Sequence, residues 1–266
     1  MKSLRTFGLL AAASLILAAC GGSSAAPAAS KAGDLGGKEI VIAVENAYNP
    51  FNFIDEKTGK GQGIDYDFFE EACKRLNCKT KFVTTSWDAI VAVMGGTGKA
   101  EWDVAADGIT ITPERAKSID FSDPYVNVGQ RLIVRDGETR FKTSAEFVAN
   151  KELKFGAQPG TTNWDIMEKL VGKDRIVSYD QFGLIIEALK NGDIDASVMD
   201  DVAGMGYVGA NKDKVILLSE KIVGEDLGFV FPKGSTLREP INKVLADMKK
   251  DGAWDKIVAK WLPSAK

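Results

Sequence analysis

The feature that most restricts the fold is an alternation of strand-like and helix-like segments that begins at Glu39. Residues 39–45 (EIVIAVE) form an apolar run typical of a buried strand. A later segment has an apolar side chain at every fourth residue, which predicts a helix. These side chains are Ile64, Phe68, Ala72 and Leu76. Repeated signals of this kind predict an α/β fold, with helices packed on a sheet.

The strand–helix–strand succession occurs twice along the chain, which favours two similar α/β lobes. Ser86 is a suitable N-cap for one of the predicted helices. Pro113 suits the first position of another helix, so the sequence predicts a helix that begins beside it. Residues 227–231 (LGFVF) are predicted to form one strand.

Composition and charge narrow the classes of function. The chain has 266 residues, and its 34 Lys and Arg against 37 Asp and Glu give a net charge of −3. A nucleic-acid binder needs a basic surplus, so that class is excluded. The chain has no histidine, which excludes histidine-based catalytic triads and His-ligated zinc. We predict neither a metal nor a cofactor, and the length suggests about two domains of roughly 150 residues.

The first 19 residues have the pattern of a bacterial lipoprotein signal peptide. Two basic residues precede an apolar stretch at residues 7–17, which is too short to span a bilayer comfortably. Small residues then lead to Cys20, the expected point of lipid attachment. Residues 20–37 comprise this cysteine and a Gly/Ser/Ala/Pro-rich tether that is expected to be flexible. The sequence predicts an exported protein at the outer face of the cell membrane or in the periplasm, held to the membrane by lipid alone.

Two further cysteines, Cys73 and Cys78, lie close together near the end of a predicted helix. Export permits a disulfide between them, and the short separation makes the bond geometrically possible. Two free buried thiols are the alternative, and the sequence leaves both open.

Several polar and aromatic side chains lie where predicted strands end, which is where open α/β sheets bind ligands. They suit a free amino acid. Its carboxylate binds a guanidinium and helix N-terminal N–H groups, and its ammonium binds a carboxylate. Aromatic side chains enclose the rest of such a ligand. The candidates are Arg115, the turn Gly160-Thr161-Thr162, Asp200, Tyr48 and Trp87.

Seven short motifs together resemble those of a known family. They are Tyr48-Asn49-Pro50-Phe51, Gly63-Ile64-Asp65-Tyr66-Asp67, Trp87-Asp88-Ala89-Ile90, the run DGITITPER at residues 107–115, Asp120-Phe121-Ser122-Asp123-Pro124-Tyr125, Gly160-Thr161-Thr162, and Met199-Asp200-Asp201. The sequence resembles the solute-binding proteins of bacterial ATP-driven amino-acid importers, of the periplasmic-binding-protein type II class. The resemblance covers nearly all of the chain after the tether.

The resemblance implies two α/β lobes joined by two crossover strands, with the ligand cleft between the lobes. Residues 38–126 would form lobe 1, residues 127–224 lobe 2, and residues 225–266 the return into lobe 1. The implied partners are a free amino acid, the importer's permease and its ATPase subunits. The implied oligomeric state is a monomer.

The resemblance also implies roles for individual residues in binding the amino acid. Arg115 would pair with its α-carboxylate, assisted by the N–H groups of Thr110 and Thr162. Asp200 and the carbonyl of Gly108 would bind its α-ammonium. The remaining site residues would be the aromatic walls Tyr48 and Trp87, together with Gln158 and Thr161.

Two acidic residues depart from the commoner family pattern. Asp107 stands where many members have a small residue, and Glu45 stands where many have aspartate. If both face the cleft, they and Asp200 outnumber the single guanidinium of Arg115, and buried excess charge is costly. A cationic ligand side chain would relieve it, so we favour a polar and specifically a basic amino acid. The alternative is that Asp107 caps a turn and that Glu45 faces water or meets Gln158.

Two other functions fit parts of the pattern. A cyclohexadienyl-type dehydratase on the same fold would need a general acid in the cleft. Glu45 or Asp107 would serve if burial raised its pKa. A ligand-sensing receptor would need a separate signalling partner. We predict a binding protein rather than an enzyme.

Overall fold

The computed structural model describes residues 33–262. The predicted signal peptide, the predicted lipidation site Cys20 and most of the predicted tether lie outside the described residues. The tether was expected to extend to residue 37, but its last part is bound to the folded body. Leu35 donates a backbone hydrogen bond to Leu76 at 2.7 Å, and Gly37 donates one to Asn77 at 2.7 Å.

The strands and helices of residues 33–262 are numbered here along the chain. The strands are β1 (Glu39–Val44), β2 (Ala47–Tyr48), β3 (Asn52–Ile54), β4 (Gly61–Gln62), β5 (Lys79–Thr84), β6 (Val104–Ala105), β7 (Ile119–Phe121), β8 (Val126–Arg135), β9 (Phe155–Ala157), β10 (Ile176–Ser178), β11 (Ala196–Asp200), β12 (Val215–Leu217), β13 (Val223–Leu227) and β14 (Val230–Pro232). The helices are α1 (Ile64–Leu76), α2 (Trp87–Met94), α3 (Ser144–Ala149), α4 (Thr162–Val171), α5 (Phe182–Asn191), α6 (Asp201–Ala210), α7 (Arg238–Lys250) and α8 (Ala253–Trp261).

Lobe 1 is built on a five-stranded sheet with the order β5-β1-β6-β14-β7. Strand β1 pairs in parallel with β5 and β6, so the carboxyl ends of these strands meet at one edge. Side chains alternate across β1: Ile40 and Ile42 pack with α1, α7 and α8, whereas Ala43 packs with α2 on the other face. A small sheet of β2, β3 and β4, which sequence analysis missed, lies beside this lobe's α1.

Helix α1 forms as its apolar spacing predicts, and its four stripe residues are buried. Acidic residues in its first turn and basic residues in its last turn complement the helix dipole. The helix ends at Asn77, which adopts the left-handed conformation. Cys73 in the last turn of α1 and Cys78 just after the helix are joined by a disulfide.

Lobe 2 is built on a second sheet with the order β10-β9-β11-β8-β12. Helix α4 packs on β9 and β11, and α6 packs on β8 and β12. The apolar core on one face includes Phe147, Phe155 and Met167, all fully buried. In the part of the chain that the structure describes, no helix has the length and apolar character needed to cross a membrane.

Two strands run between the lobes and pair with each other. Strands β8 and β13 are antiparallel, with Val126 opposite Leu227 and Gln130 opposite Val223. The fold is therefore the two-lobed α/β architecture with two crossover strands that the sequence led us to expect.

The prediction of one strand over residues 227–231 is wrong. Strand β13 ends at Leu227 and pairs with β8, whereas β14 begins at Val230 and pairs with β6 and β7 of lobe 1. At the break, Gly228 donates its N–H to the carbonyl of Ile109 at 2.9 Å. The two ends of this apolar run pair with strands of two different sheets, and sequence periodicity does not reveal such a division.

The predicted helix at Pro113 is also wrong, because only a short 3₁₀ turn forms, at Arg115–Lys117. The N–H of Ser118 bonds to the carbonyl of Arg115 at 3.1 Å, which closes the turn. The chain must enter β7 at Ile119, so it has no room for a longer helix. This turn holds Arg115 at the edge of lobe 1.

Candidate ligand-binding site

A cavity of about 330 Å³, counting the space at its open mouth, lies between the two lobes. Its lining comes from Glu45, Tyr48, Trp87, Asp107, Gly108, Thr110 and Arg115 in lobe 1 and from Gln158, Thr161, Thr162, Asn163 and Phe182 in lobe 2. Every ligand-binding residue expected from the sequence lines the cavity except Asp200. Asp200 is not part of the lining, but its carboxylate accepts a hydrogen bond from the hydroxyl of Tyr48, which is.

The two acidic residues that lobe 1 contributes to the cavity lie just after the ends of strands. Glu45 follows β1 and Asp107 follows β6 one residue further on, and these strands are parallel neighbours. The backbone N–H of Glu45 lies near the Asp107 carboxylate and acts to lower its pKa, against the larger effect of burial. The next residue, Gly108, has φ +58°, and a Cβ there would lie 2.6 Å from the ring of Tyr48. Only glycine allows this turn and the close approach of the tyrosine ring.

Arg115 presents its guanidinium to the cleft. One nitrogen donates to the carbonyl of Thr110 at 2.9 Å, and the other donates across the cleft to the carbonyl of Gly160 at 3.0 Å. The guanidinium also lies over the ring of Trp87, 5.7 Å from its centroid. Among residues 33–262 it forms no salt bridge, and burial lowers its pKa. A guanidinium without a carboxylate partner in a cleft is suited to bind an anion.

The N-terminus of α4 faces the same cavity. Its cap is Thr161, whose hydroxyl accepts from the N–H of Trp164 at 3.1 Å and donates to the carbonyl of Gln158 at 2.7 Å. Thr162 opens the helix and lines the cavity. The first N–H groups of a helix lack partners within it and favour negative charge. This end of the cleft is therefore suited to a carboxylate.

Asp200 is suited to bind an ammonium. Its Oδ2 accepts from the hydroxyl of Tyr48 at 2.7 Å, whereas its Oδ1 is buried without a hydrogen-bond partner. Burial raises the pKa of Asp200 to about 7, although the bond from Tyr48 lowers it. A donor that reached Oδ1 would satisfy a buried acceptor, and burial without one is costly.

A second acidic group lies in lobe 1. Glu45 and Asp107 are 6% and 4% exposed, so the alternative in which Glu45 faces water is wrong. Gln158 donates across the cleft to Glu45 at 2.9 Å, and the amide of Asn52 donates to Asp107 at 2.8 Å and to Asp65 at 2.9 Å. The alternative in which Glu45 meets Gln158 is therefore present in the structure, and both carboxylates are also buried.

Burial makes these carboxylates retain protons. It raises the pKa of Glu45 to about 8, assisted by the charge of Asp107, and it raises the pKa of Asp107 to about 7. Asp65 is fully buried, and its pKa is raised well above the ordinary value for the same reason. Either protons or a cation from outside must balance the negative charge here.

The raised pKa values predict that stability falls as pH rises. The folded state binds more protons than the unfolded state between about pH 4 and pH 8, so the free energy of unfolding decreases across that window. We expect a loss on the order of a few kcal/mol, since one pKa unit corresponds to about 1.4 kcal/mol. Thermal unfolding at pH 5.5 and 8.5, without added amino acid, measures it. A melting temperature that stayed constant or rose with pH would contradict the prediction, and Glu45→Gln should flatten the dependence.

Sequence reasoning missed several contributors to the site. Phe182 is not among the candidates from the sequence, yet its ring centroid lies 4.8 Å from that of Tyr48 and it lines the cavity. Asn163 directly follows the recognised turn and lines the cavity with a buried amide nitrogen that lacks a partner. Its position beside Thr162 was the available signal. Asn52 carried no signal, because only the fold brings it beside the acidic pair.

Residues 40–264 match the model of the family described as bacterial extracellular solute-binding proteins, family 3, and the chain belongs to that family. It has the periplasmic-binding-protein type II fold and is a bacterial amino-acid solute-binding protein of the ABC-importer class. Family membership makes it an exported or periplasmic protein.

Three similar proteins span nearly the same length. A probable histidine-binding protein of Neisseria gonorrhoeae is 32% identical over 95% of this chain and 92% of its own. The arginine-, lysine-, histidine-binding protein ArtJ from Geobacillus stearothermophilus has a TM-score of 0.77 and 29% identity, covering 85% of this chain and 96% of that one. An ancestral amino acid-binding protein, a precursor of cyclohexadienyl dehydratase, has a TM-score of 0.75 and 31% identity, covering 84% and 95%.

Proposed function

We propose that this protein binds a free amino acid with a cationic side chain by closing its lobes, and delivers it to the permease of an ABC importer. The α-carboxylate binds Arg115 and the N-terminus of α4. The α-ammonium binds Asp200. The cationic side chain extends toward Glu45 and Asp107, between the aromatic walls.

The observation that carries this proposal is the charge balance of the cleft. The guanidinium of Arg115 is opposed by three buried carboxylates, those of Glu45, Asp107 and Asp200. An amino acid with an uncharged side chain leaves the excess of negative charge unchanged. A positively charged side chain reduces it. The side-chain oxygen of Gln158 is buried without a partner and supplies a further acceptor for an N–H donor. The binding of basic amino acids by relatives also supports the assignment.

A thermal-unfolding screen of the purified protein against the common amino acids and ornithine tests the proposal. A ligand at about 100 times its Kd stabilises by about 2.7 kcal/mol, which raises the melting temperature on the order of 5–10 °C here. We expect this shift with arginine, lysine, ornithine or histidine, and a much smaller one with glutamine. A shift only with neutral or acidic amino acids would refute the cationic preference. No shift with any amino acid would refute amino-acid binding.

The dehydratase alternative is favoured by one observation, the raised pKa of Glu45. A carboxyl that holds its proton near neutral pH is able to act as a general acid. Against it, the carboxyl group of Glu45 already accepts a hydrogen bond from the amide of Gln158 across the cleft. Incubation with prephenate or arogenate separates the two functions. Turnover would establish an enzyme, and its absence together with binding of basic amino acids would favour the receptor.

The proposed function includes attachment to the membrane by a lipid on Cys20. The support is the sequence, in which small residues precede this cysteine after an apolar stretch. Cells labelled with a palmitate analogue should incorporate it into the parent protein and not into a Cys20→Ala variant. The variant should also be lost from the membrane fraction. Label retained by the variant would contradict anchoring at this residue.

A further inference from the structure

Glu225 lies in the middle of β13, one of the two strands that connect the lobes. Its Oε2 atom accepts three hydrogen bonds. The donors are the hydroxyl of Thr110 at 2.9 Å, the amide of Gln130 at 2.8 Å and the hydroxyl of Thr162 at 2.9 Å. Thr110 belongs to lobe 1, Thr162 opens α4 in lobe 2, and Gln130 lies on β8, the other connecting strand. One carboxylate oxygen therefore links both lobes and both connecting strands.

The protons available in this cluster show which group organises it. Each threonine hydroxyl has one proton to donate, and both are directed to the Glu225 carboxylate. The amide of Gln130 has two protons, which it donates to Glu225 and to the oxygen of Thr162 at 2.9 Å. The hydroxyl oxygens of Thr110 and Thr162 lie 3.3 Å apart across the cleft. They are held together by the acceptor that they share and not by a bond between them.

Glu225 lies behind the ligand cavity and not within its wall. Thr110 and Thr162 line the ligand cavity, whereas Glu225 lines a separate cavity on the far side of the connecting strands together with Thr110, Asp123 and Asp226. Its hydrogen-bonded connection to the ligand cavity therefore runs through the two threonines.

We propose that Glu225 is a positioning residue that holds the two lobes together at the carboxylate-binding end of the cleft. Its three bonds are all present only when Thr110 and Thr162 approach each other from opposite lobes. Breaking them should favour separation of the lobes and speed the release of a ligand. The effect on release rests on the proposed function, and the effect on lobe separation does not.

The negative charge of Glu225 offers a competing explanation, which predicts the opposite effect on ligand binding. Glu225 is one of the acidic groups that act electrostatically on Arg115. If its negative charge were its main contribution, removing it would strengthen carboxylate binding, equally in alanine and glutamine variants. The positioning role predicts that the two variants differ. In Glu225→Gln the amide oxygen is able to accept from the same donors while the nitrogen faces the rear cavity, whereas Glu225→Ala has no acceptor.

Hydrogen exchange without added amino acid tests the positioning role directly. We expect Glu225→Ala to raise the exchange rate about fivefold or more in residues 108–112 and 160–164, on opposite sides of the cleft. Strands β9 and β11 should exchange as in the parent, because lobe 2 remains folded. Glu225→Gln should resemble the parent, and so should Asp226→Ala, a matched control at an exposed acid on the same strand. Unchanged exchange in Glu225→Ala, or faster exchange throughout lobe 2, would overturn the proposal.

Stopped-flow kinetics with L-arginine then tests the consequence for binding. We expect the dissociation rate to rise about tenfold in Glu225→Ala with little change in the association rate, and to remain within about threefold of the parent in Glu225→Gln. Tighter binding in both variants would overturn the proposal in favour of the charge effect. If L-arginine and the other basic amino acids fail to bind the parent, the proposed function fails, and hydrogen exchange alone decides the role of Glu225.

Discussion

Replacing Arg115 with methionine is expected to weaken binding of L-arginine by about two to four orders of magnitude. The guanidinium forms no salt bridge with the described residues, so the ligand's carboxylate would be its first ionic partner. Truncating one member of a buried, hydrogen-bonded charge pair costs about 2–5 kcal/mol, and each 1.4 kcal/mol is a factor of about ten. Isothermal titration calorimetry of parent and variant measures the loss.

A matched control separates this effect from a general loss of positive charge. Arg238 is exposed at the start of α7, where it forms a salt bridge with Glu239, so Arg238→Met should bind as the parent does. Arg115→Lys should recover only part of the affinity, because an ammonium lacks the two parallel donors of the guanidinium. Circular dichroism must show that Arg115→Met is folded. An Arg115→Met variant that is folded and binds within about fivefold of the parent would contradict the assigned role.

Combining Glu45→Gln with Asp107→Asn is expected to remove most of the preference for L-arginine over L-glutamine. These carboxylates are buried and close enough that the charge of Asp107 raises the pKa of Glu45. Both substitutions keep the size of the side chain and one acceptor oxygen while removing the negative charge. We expect the ratio of the two affinities to fall about 100-fold, which corresponds to about 2.7 kcal/mol, in the range of a desolvated charge pair.

The control for this pair is Glu101→Gln with Asp174→Asn, which changes the net charge equally at two exposed positions. It should retain the full preference, because exposed charges at a distance are screened by salt. Competition of both amino acids for each variant gives the ratio directly. A Glu45→Gln, Asp107→Asn variant that kept the parent's preference would show that these carboxylates do not select the ligand's side chain.

Local structure in this chain follows closely from local sequence. Helix α1 forms where apolar residues recur at every fourth position. Ser86 caps α2 as predicted, and its hydroxyl accepts a hydrogen bond from the N–H of Ala89. Two residues predicted to bind the ligand also lie near strand ends, since Trp87 comes shortly after β5 and Asp200 ends β11. These features depend on the geometry of one helical turn or one strand, which a short stretch of sequence contains completely.

Other features depend on which sheet a segment joins. The apolar run at residues 227–231 is typical of one strand, but its two ends pair with strands of different sheets. The helix expected at Pro113 is limited to a short turn, because β7 follows at once. Local preference did not determine how far these segments extend, because tertiary pairing competed with it.

The sequence by itself determined the α/β class, most helix positions and the residue types available for binding an amino acid. Only the tertiary structure decided which side chains meet. It turned Glu45 and Asp107 inward together, because β1 and β6 are parallel neighbours, and it placed Asp200 beside the hydroxyl of Tyr48. It also brought Glu225 to Thr110, 115 residues away in the chain. Side-chain direction and long-range contact arise from the packing of whole lobes, and no local pattern encodes them.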